Sequence, residues 1–152
     1  MIKSILLTGL YVSMFLFSNG QAKRPYDSKL ADSLNADAYG MKQYMLVILR
    51  TGPNQPSDST IRNQLFRGHM DNIQRLAERG SLVVAGPFGK NDQFYRGLFI
   101  LNTDSEMKAR DMVNTDPAVS YGLFKAEYIP WYGSAALPMY LPFHSAVQKQ
   151  SF

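Results

Sequence analysis

The chain has 152 residues, 45% of them hydrophobic and 18% charged, the balance of one globular domain with an appendage rather than of a disordered chain. It contains no cysteine, which excludes a disulfide framework, thiolate metal sites, a cysteine nucleophile and a lipid-modified N-terminal cysteine. The formal charge of +4 comes without any Lys/Arg block, so a nucleic-acid partner is not indicated.

Residues 1–22 differ from the rest. Lys3 gives a positive start, Ile5 to Phe17 runs without a charge, and Ser18-Asn19-Gly20-Gln21-Ala22 puts small residues where a signal peptidase cuts. The apolar run is about 13 residues, against the roughly 20 needed to span a bilayer. A signal peptide cleaved after Gly20 or Ala22 is expected, with an uncleaved anchor as the alternative. The mature protein is then exported, periplasmic or secreted, with no membrane contact after cleavage. Residues 23–42 are polar and lack a sustained period, as an N-terminal arm does, with room for a short helix near Ser28–Leu34.

Tyr44-Met45-Leu46-Val47-Ile48-Leu49 is a continuous apolar run ended by the turn cluster Arg50-Thr51-Gly52-Pro53, which predicts a buried central strand. A helix follows, capped by Ser57 or Ser59 and ended by Gly80. Ile61, Leu65, Ile73 and Leu76 make its apolar face, and His69 falls four residues from both Leu65 and Ile73, inside that stripe. Leu82–Ala85 is predicted as a short strand stopped by Gly86-Pro87-Phe88-Gly89, and Phe94–Leu101 as its hairpin partner. Thr103 and Glu106 have capping-box spacing for a second helix carrying Met107, Ala109, Met112 and Val113. Pro117 stops that helix at or before Asp116. Leu123–Ile129 reads as the last strand, and Gly133–Phe152 as a loose tail.

The order β-α-β-β-α-β is the split βαβ arrangement of a ferredoxin-like α+β fold, a four-stranded antiparallel sheet with two helices on one face. The first strand is apolar on both faces, so the open face needs a cover, and a second copy of the same sheet is the expected one. A homodimer with sheet packed on sheet is predicted.

Arg67-Gly68-His69-Met70-Asp71-Asn72-Ile73, then Gly80-Ser81-Leu82-Val83-Val84-Ala85-Gly86-Pro87, then Asp116-Pro117 together resemble the YCII-related family over residues 43–133, leaving 134–152 as a C-terminal tail. The resemblance implies a dimeric α/β-barrel of ferredoxin-like type, with relatives that include dehalogenating enzymes acting on chlorinated muconolactones and a likeness to muconolactone isomerases. It also implies an active site in which His69 and Asp116 approach each other in a cleft. Ala118 departs from the aromatic residue that often follows the Asp-Pro pair.

The residues themselves leave two readings open at each position. His69 is a structural histidine or a general base, since an imidazole titrates near neutral pH and a carboxylate partner fixes its tautomer. Asp116 is that partner or a turn residue bonding nearby amides. Gly86-Pro87 reads as a turn, Arg96 as a surface arginine or an anion contact, and Tyr128, Trp131 and Tyr132 as a packing cluster. With His69 and His144 the only histidines and no cofactor motif present, the predicted chemistry uses no metal and no cofactor. It is lyase- or isomerase-like acid–base work on a small organic acid or carbonyl ligand. The alternative is a non-catalytic ligand-binding or structural module on the same fold.

Overall fold

The computed structural model describes residues 25–150, and the expected leader at 1–22 lies outside them. Four strands carry the architecture: β1 (Met41–Thr51), β2 (Leu82–Pro87), β3 (Tyr95–Leu101) and β4 (Phe124–Ser134). They form one antiparallel sheet in the order β2-β3-β1-β4. This is the ferredoxin-like order, with the apolar β1 in the interior as its sequence predicts. β1 pairs with β4 without interruption from Met41↔Ser134 to Thr51↔Phe124.

The helices α2 (Ser59–Glu78), α3 (Glu106–Asn114) and α4 (Pro117–Tyr121) close one face of this sheet. Alternation along β1 sends Met45, Val47 and Leu49 to that face, where they meet Phe99 and Leu101 of β3, Leu76 of α2, Ala109 and Val113 of α3 and Ala118 of α4. Leu65 and Ile73 pack against the same cluster, while Ile61, at the start of α2, is 40% exposed and drops out of the predicted stripe.

Several boundaries differ from expectation. The cap of α2 is Asp58, whose side chain accepts from the Thr60 N–H, and not the serine on either side of it. The cap of α3 is Ser105, which accepts from the Lys108 N–H, so Thr103 instead accepts from the Ser105 N–H. A carboxylate or hydroxyl serves equally as acceptor, so clustered capping residues compete and backbone geometry selects one. Gly80 follows the end of α2 at φ +67°, the left-handed conformation that favours glycine there. Gly86 and Pro87 do not stop β2. They pair with Leu98 and Gly97, and the proline is tolerated because β2 is an edge strand.

The two flanking segments are ordered and docked. The arm forms α1 (Ser28–Ser33), capped by Asp27, and Asp37 accepts a hydrogen bond from the Tyr132 hydroxyl of β4. The tail is not loose: after β4 a 3₁₀ turn (Leu137–Tyr140) and α5 (Leu141–Val147) follow. Leu137 packs beside Tyr44, Val83 and Ile100 on the face opposite the helices, and the Tyr140 hydroxyl donates to the Val83 carbonyl. Tyr128, Trp131 and Tyr132 do not cluster. Tyr128 packs with the helix-side core, Trp131 lies against Tyr44 on the other face at 5.7 Å between ring centroids, and Tyr132 is 45% exposed.

Candidate functional site

His69 and Asp116, 47 positions apart in sequence, meet beneath the helices, with Nδ1 of the imidazole 2.5 Å from Oδ2 of the carboxylate. Each is placed by its own helix. His69 lies near the middle of α2, on the side turned to the sheet. Asp116 is the N-cap of α4, with Pro117 at the first helical position, where a missing N–H costs nothing. Its Oδ1 accepts from the Ala118 N–H at 2.9 Å. The two readings of Asp116 therefore hold together, since one oxygen caps the turn and the other faces the histidine.

The approach of α2 to α4 depends on Gly68. A Cβ at that position would lie 2.8 Å from Cγ of Pro117, closer than real contacts allow. The absence of a side chain beside His69 thus lets the imidazole reach Asp116.

Asp116 is sealed, at 0% side-chain exposure, whereas the imidazole keeps 11% of its surface in contact with solvent. A carboxylate acceptor holds the shared proton on Nδ1, which leaves the Nε2 lone pair as the basic position. Nε2 takes no hydrogen bond among the described residues and is not among their sealed polar atoms. The ring stacks near Phe99 of β3, at 5.9 Å and 27°, and meets the edge of Phe124 of β4 at 5.2 Å. Phe66 extends this apolar wall, 5.8 Å from Phe124.

Among the described residues, two of the cavities lie away from the pair. One of about 730 Å³ lies between the arm and the turn after β4, lined by Tyr26, Leu30, Leu34 and Ala135 among others. One of about 310 Å³ lies between the ends of α2 and α3, lined by Arg75, Arg79 and Thr115 among others. Neither is lined by His69 or Asp116. Among the described residues, no group of three or more His, Cys, Asp or Glu side chains is placed to hold a metal ion. Arg96 is exposed on β3 and His144 is exposed on α5, both outside the pair's surroundings.

Sequence reasoning misses Asn72 and Thr115, which join α2 to the residue before Asp116. Asn72 lies three positions after His69 on the helix, a spacing that offers the one signal available.

The family model of the YCII-related domain matches residues 44–132. No curated protein matches the chain at a significant level. Among solved structures the chain is similar to the 5-chloro-2-hydroxyhydroquinone dehydrochlorinase TftG from Burkholderia phenoliruptrix AC1100, in complex with 2,5-dihydroxybenzoquinone. The identity is 21% and the TM-score 0.42, over 57% of this chain and 92% of that one.

Proposed function

The chain belongs to the YCII-related domain family, and we propose that within it His69 is a general base and Asp116 the group that orients it. The observation that carries this reading is the contact between Nδ1 and the sealed carboxylate, with no hydrogen bond to Nε2 among the described residues. A carboxylate at Nδ1 selects the tautomer whose Nε2 accepts a proton, and it stabilises the imidazolium that results. The apolar walls of Phe66, Phe99 and Phe124 suit a small, flat organic body. The substrate is a small organic acid or carbonyl compound. Nε2 removes a proton from the carbon next to the carbonyl, and the electron pair then either expels a leaving group at the β position or takes a proton back at another carbon. No cofactor is required by this sequence of steps.

The test is a panel of carbonyl acids offered to the wild-type protein and to His69→Ala. Turnover by the wild type, reduced at least about a hundredfold by the substitution, supports the proposal. Equal turnover by both proteins would overturn it. A non-catalytic ligand-binding module is the second reading, and its support is the depth of the pair, with Asp116 sealed and the imidazole 11% exposed. Saturable binding of a panel compound without turnover would favour it.

A further inference from the structure

Behind the histidine–aspartate pair lies a second set of polar contacts with no place in the proton transfer. Asn72, one turn along α2 from His69, is 5% exposed. Its Oδ1 accepts from the Thr115 hydroxyl at 2.9 Å and from Nη2 of Arg75. The Thr115 hydroxyl also lies 2.6 Å from the Met112 carbonyl in the last turn of α3, and it accepts from Nη2 of Arg75 at 2.7 Å. Thr115 immediately precedes Asp116. One side chain therefore ties together the helix that carries the histidine, the end of α3 and the peptide that carries the aspartate.

The residue types make little sense as packing alone. Nδ2 of Asn72 is buried with no hydrogen-bond partner among the described residues. A buried amide with one end unpaired destabilises the fold relative to an apolar side chain of the same size. Such a group persists where its position matters more than the stability it costs. We infer that Asn72 and Thr115, bridged by Arg75, are positioning residues that hold Asp116 at its hydrogen-bonding distance from His69. Their importance for turnover rests on the acid–base reading above, but the positioning itself does not.

The readout is the tautomer of His69, followed by nitrogen and proton resonance of the imidazole in the full chain. In the wild type the Nδ1–H form dominates. Thr115→Val keeps the shape and removes the hydroxyl, and it shifts the ratio of the two tautomers by up to about tenfold, the scale of one neutral hydrogen bond. Thr115→Ser returns the hydroxyl and restores the wild-type ratio, which a purely structural role of the threonine methyl would not do. Where Thr115→Val fails to fold, Arg75→Met at the rim decides, because one nitrogen, Nη2, serves both acceptors and a methionine offers neither a donor. An unchanged ratio in whichever of the two folds, or a failure of serine to restore it, overturns the inference. If the ratio shifts as expected while the wild type turns over no carbonyl acid, the positioning role stands and the catalytic reading falls.

Discussion

On the helix-covered face of the sheet, Met45, Val47, Leu49, Phe99 and Leu101 are at most 2% exposed, whereas on the opposite face Leu46, Ile48 and Leu98 are half-buried and Ile129 is 45% exposed. The first face is closed by three helices, the second only in part, by the tail around Tyr44, Val83 and Ile100. The second face also holds an Arg50–Glu127 ion pair at 3.1 Å, with both side chains more than a third exposed. Only the first face can keep a carboxylate away from water. Under the helices Asp116 has no competing solvent, so its bond to His69 acts at close to full strength. The Arg50–Glu127 pair is screened and contributes little.

If the two faces differ as described, core truncations should separate them. Leu101→Ala on the closed face is expected to lower the unfolding free energy by about 2–5 kcal/mol, while Ile129→Ala on the open face should cost under about 1 kcal/mol in the monomer. Denaturant melts of both variants check this, and equal losses would break the contrast.

Gly68→Ala is expected next in size, at about 1–3 kcal/mol, because the new methyl forces α2 away from Pro117. The same denaturant melts measure it, and the wild-type free energy in this variant would mean that α2 has room to spare.

We also propose that Ile48, Leu98 and Ile129 seat a second copy of the sheet beside the tail. Light scattering at micromolar concentration should give twice the monomer mass, with Ile129→Asp returning the monomer. A monomer from the wild type would mean that the tail and the exposed strip suffice.

Smaller effects belong to the flanking segments. Tyr140→Phe removes the donor to the Val83 carbonyl and should cost about 0.5–1.5 kcal/mol, read as faster proteolysis of the tail. The arm is expected to respond to pH. The Tyr132 hydroxyl, more than any other group, holds the Asp37 carboxyl below the ordinary aspartate value of about 3.9. A folded value below the unfolded one stabilises the docked arm above about pH 4, and this is lost as pH falls through the folded value. Protection of the Met41 amide, its exchange rate set against the intrinsic rate at the same pH, should therefore fall at acid pH in the wild type, and depend less on pH in Tyr132→Phe.

Much of this is legible in the sequence. The run Tyr44–Leu49 marks the interior strand, and the spacing of Leu65, His69 and Ile73 turns the imidazole inward. α4 is not legible, since five residues are too few to show a helical period, and Asp116-Pro117 looks like a stop when it is also a start. The docking of the tail is hidden for a similar reason: Pro138 and Pro142 read as loop signals, yet each opens a short helical turn. The Asn72–Thr115 contact spans 43 positions and follows no pattern, so only the fold, which brings the end of α3 beside α2, reveals it.

As the general base we propose, His69 removes a proton from carbon. Solvent deuterium offered to the protein with a carbonyl acid that it binds, followed by the appearance of deuterium next to the carbonyl, measures that step without requiring a leaving group. Exchange by the wild type is expected, at least about a hundredfold slower in His69→Gln and markedly slowed in Asp116→Asn. Exchange at the wild-type rate in His69→Gln would contradict it.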